Sequence, residues 1–332
     1  MSNCLILLLN TLTWVKRDMN RKHLTVCQRW FFSLMAWFAF GGLAYAGPYS
    51  AVVVFGDSLS DNGNLYAAAK IPGAPYYNGR RSNGPVAVED LAAALNAPLK
   101  DFAWIGATTG LGGLDGTGNV TSYTYPGIPG MANQFAAASG SLTPYLSHGL
   151  FVVWGGPNDW LAPSPLDGGD PAKIIKRAVE NEIAIITALQ GMGAYRILAP
   201  GMPDLGLTPY FTSINQSIFG SSFTKTFNDL LLASLPSGVL YYDTAALTQA
   251  AFANPAAYGF TNVTDACFDK VALTLCANPN QYLYFDDFHP SATAHALIAQ
   301  GFYSAVPEPP AVLLLGLGIM LLLARRGKRV RL

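Results

Sequence analysis

Residues 51–64 read Ala51-Val52-Val53-Val54-Phe55-Gly56-Asp57-Ser58-Leu59-Ser60-Asp61-Asn62-Gly63-Asn64. Five apolar residues, three of them β-branched, run without alternation into a Gly-Asp-Ser turn. A strand with one wet face would alternate apolar and polar side chains. A short unbroken run therefore reads as a strand covered on both faces, the pattern of a parallel sheet between layers of helix. A serine that follows Gly-Asp at such a strand-to-helix turn can stand exposed at the carboxyl edge of the sheet, with its own N–H near a helix start. Alone the segment is weak evidence, because Gly-Asp-Ser is good turn chemistry anywhere. It is not a phosphate loop, having neither the P-loop lysine nor the G-x-G-x-x-G spacing.

Outward from this stretch, four further buried-strand candidates follow: Phe102–Ile105, Leu150–Trp154, Tyr195–Ala199 and Val239–Tyr242. Helical patterns lie between them. The clearest has Asp170 as its cap, Pro171 in the first turn and an apolar stripe of Ile174, Ala178, Ile185, Ile186 and Leu189, and it stops at Gly191. Helices are also expected over Pro85–Leu95, Ser221–Leu235, Thr244–Phe252 and Ser291–Tyr303. Strands alternating with helices predict an α/β domain with a five-stranded parallel sheet over residues 47–305, and the glycine-rich Gly110–Gly118 reads as a surface loop.

The chain has 332 residues, 51% of them apolar and only 12% charged, about half the usual quarter, which excludes disorder. Its formal charge of zero hides a segregation. Residues 1–46 carry Lys16, Arg17, Arg21, Lys22 and Arg29 against Asp18 alone, and residues 307–332 carry Arg325, Arg326, Lys328, Arg329 and Arg331 against Glu308 alone. All the remaining charge lies in the acidic body between them, which has no electrostatic case for binding nucleic acid.

Both basic ends adjoin apolar runs. At the front, Arg21, Lys22 and Arg29 precede Trp30–Phe40, and Ala44-Tyr45-Ala46 supplies an A-x-A site, so residues 1–46 read as a signal peptide region cut after Ala46 or else as an uncleaved anchor. Either Met1 or Met19 would serve as the start. At the back, Val306-Pro307-Glu308-Pro309-Pro310 is followed by an uncharged run from Ala311 to Ala324 and a basic tail. That run is short for a membrane span, which needs about 20 residues, and reads as a short anchor oriented positive-inside. Pro-Glu-Pro, apolar helix and basic cluster, in that order over 306–332, also resemble a PEP-CTERM sorting tail. The resemblance implies a Gram-negative host, an export machinery, a transient inner-membrane anchor and a sortase-like processing protease as partners. It also implies a final location at the cell surface or outside the cell.

Cys4 and Cys27 lie in the front segment, leaving Cys267 and Cys276 as the thiols of the body. Nine positions apart in an Asn-, Asp- and Pro-rich loop, and in an oxidising compartment, they read as a disulfide rather than as a metal site or free thiols.

In a parallel α/β sheet, chemistry gathers beyond the carboxyl ends of the strands. After the second strand candidate stands Gly106, where a ligand oxygen could approach a backbone N–H, unless the glycine only serves a tight turn. After the third comes Gly155-Gly156-Pro157-Asn158-Asp159, whose Asn158 amide could face a developing oxyanion or merely cap a turn. Near the end, Phe285-Asp286-Asp287-Phe288-His289-Pro290 leads into the last helix. His148 precedes a strand, at the wrong end of the sheet, and His295 sits in an apolar helix pattern. That leaves His289, with Asp286 three residues earlier able to reach its Nδ1. No H-E-x-x-H is present, and zinc has no suitable ligand spacing.

Together these blocks make an acyl-transfer site. Gly56-Asp57-Ser58-Leu59, then Gly106, then Gly156-x-Asn158-Asp159, then Asp286-x-x-His289 resemble, in order, the four blocks of the SGNH hydrolases of the GDSL lipase/esterase family, over about residues 51–304. The resemblance implies a three-layer α/β/α fold of flavodoxin type. It implies Ser58 as nucleophile, His289 as base and Asp286 as its orienter, with the Ser58 and Gly106 N–H groups and the Asn158 amide as oxyanion hole. It implies no cofactor, no metal and a monomer acting on carboxylic esters. The runs Asp61–Asn64 and Gly201–Gly206 resemble the branch with secreted lipases and haemolysin-like esterases, whereas Trp104-Ile105 before Gly106 departs from the small residues often found there. Lipid or short acyl esters are the expected substrates. The alternatives are an O-acetylated exopolysaccharide or, in another class, a catalytically silent matrix-binding protein.

Overall fold

The computed structural model describes residues 49–111 and 127–306. Residues 1–46, read above as a signal region, most of the Gly110–Gly118 loop and the tail beyond Val306 lie outside the described residues. Among the described residues no helix is long and apolar enough to cross a membrane.

In chain order the first half contains β1 (Val52–Gly56), α1 (Asn64–Ala69), α2 (Ala87–Ala94), β2 (Leu99–Asp101), α3 (Met131–Ala138), β3 (Leu150–Trp154), α4 (Pro157–Leu161) and α5 (Pro171–Gly191). The second half contains β4 (Ile197–Pro200), α6 (Pro209–Ser213), α7 (Ser217–Ser234), β5 (Leu240–Tyr242), α8 (Thr244–Ala253), β6 (Asn262–Ala266), β7 (Phe268–Asp269), β8 (Thr274–Leu275), β9 (Tyr282–Tyr284) and α9 (Ala292–Ala305). Five strands form one parallel sheet in the order β2-β1-β3-β4-β5. This is the doubly wound order whose direction reverses between β1 and β3, the place where such folds bind ligands.

The opening stretch behaves as its composition demands. Val52 and Val54 pack with Leu91 of α2 and Ile298 and Phe302 of α9, while Val53 and Phe55 pack with Met131 of α3 and Ile185, Ile186 and Leu189 of α5. Both faces of β1 are covered, so no position tolerates a polar side chain. In α5 the Asp170 carboxylate accepts from the Ala172 N–H at 2.9 Å, Pro171 opens the helix, and the whole predicted stripe is buried.

The second strand lies earlier than expected. Leu99–Asp101 forms it, and Phe102–Ile105 is loop. Asp101 ends the ladder with its own side chain, its carboxylate accepting from the Ala103 N–H at 2.9 Å. Phe102 still donates to the Val54 carbonyl and stacks on Phe55 at 5.5 Å, which accounts for its apolar character without strand geometry. The α7 helix starts a turn earlier than Ser221, and Tyr195 lies outside β4, 56% exposed beneath the Arg196 guanidinium.

Candidate active site

The carboxyl ends of β1 and β3 present two turns side by side. Beyond β1 the Asp57 carbonyl accepts from the N–H groups of Ser60 and Asp61, and the Asp57 carboxylate accepts from the Leu59 N–H at 2.9 Å. These bonds wind the chain into a tight turn with Ser58 at its outer side, 8% exposed. On the inner side, Gln134 of α3 both donates to and accepts from the Gly56 backbone.

Beyond β3 the chain needs glycine. Gly156 has φ +106°, and a Cβ there would meet Phe227 at 2.7 Å and Met202 at 2.9 Å. This tight passage starts α4 and sets Asn158 in its first turn. The Asn158 Nδ2 donates to the Ala107 carbonyl at 2.9 Å, which joins this block to the Gly106 turn. Gly106 has φ +84°. Neither its N–H nor that of Ser58 donates to any described group.

Across from these turns the segment after β9 brings up His289. Its Nε2 lies 2.8 Å from the Ser58 Oγ, and its Nδ1 lies 2.7 Å from Oδ1 of Asp286. Asp286 is fully buried, and the same Oδ1 accepts from the N–H groups of Phe288 and His289 at 2.9 Å. Burial opposes charge on this carboxyl. The charge and hydrogen bond of His289, Lys270 and the Tyr76 hydroxyl outweigh it, holding Asp286 well below the usual carboxylate range.

The structure thus brings Ser58, His289 and Asp286 into one hydrogen-bonded chain, and it links Asn158 to the Gly106 turn. His148 is exposed ahead of β3. His295 is fully buried in α9 with its Nδ1 accepting from the Ala87 N–H, and burial together with the charge of His289 pushes it down to about 3. Cys267 and Cys276 are joined in a disulfide beside Phe268, Phe285 and Tyr76. No group of three or more metal-ligating side chains occurs among the described residues.

Three supporting residues had no chemical role in the sequence reading. Asp61, fully buried, accepts from the backbone N–H groups of Gly63, Asn64 and Leu65 and, at 2.8 Å, of Ile105. It therefore fixes the Ser58 turn to the residue preceding Gly106. Asp159 accepts two bonds from Thr109 and pairs with Arg177, tying the Gly106 loop to α5. Tyr76 donates its hydroxyl to Oδ2 of Asp286 at 2.7 Å. Ile105 packs inward with Leu65, Ile128 and Ala107, and Trp104 lies against that cluster, so this departure from small residues supports the Gly106 turn.

The family description that matches residues 52–302, well over half of the chain, is GDSL-like lipase/acylhydrolase. The chain belongs to the GDSL-like lipase/acylhydrolase family. Membership in this GDSL family makes it a carboxylic ester hydrolase. A GDSL esterase/lipase of Arabidopsis thaliana is 27% identical over 321 residues, covering 78% of this chain and 86% of the plant protein. The esterase EstA of Pseudomonas aeruginosa is 28% identical over 316 residues, covering 80% of this chain but 48% of that protein, so the chain spans about half the length of this bacterial relative. Among solved structures, an acetylxylan esterase of Geobacillus stearothermophilus matches with a TM-score of 0.40 and 14% identity, over 79% of this chain and 96% of the other.

Proposed function

We propose that this GDSL-family protein hydrolyses carboxylic esters through an acyl-enzyme on Ser58. The observation that carries the reading is the unbroken chain from the Ser58 Oγ through both nitrogens of His289 to Asp286, assembled across 231 positions of sequence. His289 takes the Ser58 proton as Oγ attacks the ester carbonyl, and Asp286 holds the ring in the tautomer that leaves Nε2 free to accept. The carbonyl oxygen, now negative, collects hydrogen bonds from the Ser58 and Gly106 N–H groups and the Asn158 amide. His289 returns its proton to the departing alcohol. Water then attacks the acyl-enzyme with His289 again as base, and the acid is released.

The surroundings support an apolar acyl group. Tyr210 lies 4.4 Å from Phe288, the neighbour of His289, and Trp160, two residues beyond Asn158, lies 4.6 Å from Phe219. All four rings are half-buried against one apolar cluster. An active-site fluorophosphonate is expected to add one adduct mass, on the peptide that contains Ser58. On p-nitrophenyl esters kcat/KM is expected to rise from acetate to longer chains. Labelling on any other residue would remove Ser58 as nucleophile, and a preference for an acetylated glycan over every p-nitrophenyl ester would favour the polysaccharide reading.

We also propose that the protein is secreted, with residues 1–46 as its export signal and 306–332 as a tail removed by a membrane protease. The segregation of basic charge to the two ends supports this. Intact mass from the native host is expected to match a species that begins at Gly47 and lacks residues 311–332. A dominant species retaining that segment would mean a permanent anchor.

A further inference from the structure

We propose that Tyr76 is a positioning residue for the ester hydrolysis, fixing the carboxylate of Asp286 through its hydroxyl so that the other oxygen faces His289. The inference rests on the reading of Ser58, His289 and Asp286 given above. Oδ1 of Asp286 is engaged by three donors, the His289 ring and the Phe288 and His289 N–H groups. Oδ2 has one hydrogen-bond partner among the described residues, the Tyr76 hydroxyl at 2.7 Å, supplied from 210 positions away. Asp286 is fully buried, so bulk water does not reach that oxygen in the intact fold.

Tyr76 is itself held on several sides. Its ring meets Phe268 edge-on at 5.6 Å and Phe285 at 5.4 Å, and the Arg81 guanidinium lies 5.0 Å from its centroid. Phe268 follows Cys267 directly, so the disulfide closes one wall of this aromatic seat. Burial first, and the charge of Asp286 second, push the pKa of Tyr76 up, which keeps the proton on the phenol and the phenol a donor.

Hydrogen bonding at Oδ2 has two consequences for the reaction. It prevents the carboxylate from rotating about its Cβ–Cγ bond, so Oδ1 stays in line with Nδ1 of His289. It also draws charge away from Oδ1, which limits how strongly Asp286 stabilises a proton on the free imidazole. Loss of the hydroxyl therefore makes His289 a poorer-oriented base and raises the pH at which it becomes available.

Tyr76→Phe keeps the ring and removes only the donor. The expected result is a fall in kcat of about tenfold at nearly constant KM, with the acidic limb of the kcat/KM profile moved up by about half a pH unit. The neighbouring Tyr77→Phe, at an exposed ring, is expected to move neither. In an Asp286→Asn background Tyr76→Phe is expected to add less than a twofold further loss, because the two side chains act as one unit. Site-specific 3-fluorotyrosine at position 76 retains the shape and strengthens the donor, and it should move the acidic limb downward. An unmoved limb in both variants, or a full tenfold loss repeated in the Asp286→Asn background, would overturn the proposal and leave Tyr76 as packing alone. Activity surviving in Ser58→Ala would instead strike the underlying nucleophile assignment, so the two failures are distinguishable.

Discussion

Ser58→Ala is expected to lower kcat by on the order of 10³-fold or more while leaving the melting temperature nearly unchanged. The change removes one oxygen from a residue at the outer side of a turn, and that turn is held by the Asp57 carbonyl and carboxylate and by Gln134, none of which hydrogen-bonds to the Ser58 hydroxyl. The chemistry, however, loses its only nucleophile. His289→Ala is expected to be equally damaging, and the double variant hardly worse, because nucleophile and base act as a single unit. Neither other histidine of the body can substitute. His295 is sealed in α9 and held neutral, and His148 is exposed before β3, at the opposite end of the strands. Steady-state kinetics on a p-nitrophenyl ester, with a thermal melt beside them, measures both halves. Retention of a tenth of the activity in Ser58→Ala would sink the assignment.

The parts of this site that were legible in the sequence are those whose chemistry is local. Residues 51–58 announce a strand buried on both faces because every position from Ala51 to Phe55 is apolar, and each of those side chains is buried. Asp286 and His289 are three apart, so their hydrogen bond could be anticipated from spacing. β2 escaped because it is the edge strand and its three residues, Leu99-Lys100-Asp101, are only partly covered. The more apolar Phe102–Ile105 next to it packs against Phe55 and against the cluster around Leu65 and Ile128 without pairing as a strand.

Other features depend on contacts between distant segments and carry no local signature. Asp61 reads as turn chemistry, yet one of its oxygens accepts from Ile105, 44 positions away. Glu182 lies on the buried side of α5, with both carboxylate oxygens free of hydrogen-bonding side chains and its pKa raised well above normal by burial and by the charges of Asp159 and Asp57. Asp57 itself is pushed up to about 7, first by burial. Two acids that close behind the nucleophile turn are an arrangement that only the packed fold creates. Tyr76 belongs to the same class, since nothing around it in sequence points toward Asp286.

Asp286→Asn is expected to lower kcat on the order of 10³- to 10⁴-fold, and Asp287→Asn by no more than about threefold. The two acids are adjacent in sequence, but their surroundings are opposite. Asp287 is half-exposed and pairs with Lys270 at 2.8 Å, a surface-type contact worth little. Asp286 is fully buried and accepts four hydrogen bonds, from the His289 ring, two backbone N–H groups and Tyr76. An amide in its place can present N–H where the carboxylate presented an oxygen. That arrangement favours the imidazole tautomer with its proton on Nε2, the one unable to accept from Ser58. Stability provides a second reading with a defined sign. A carboxyl whose folded-state pKa lies below its unfolded value of 3.8 contributes stability above that pH and loses it as the pH falls further. Wild type is therefore expected to melt above Asp286→Asn near pH 6, with the gap narrowing as the pH falls below about 4, where the unfolded chain's carboxyl takes up a proton that the folded one still refuses. Equal, small losses of activity in both variants would reduce the machinery to Ser58 and His289 and remove Asp286 from it.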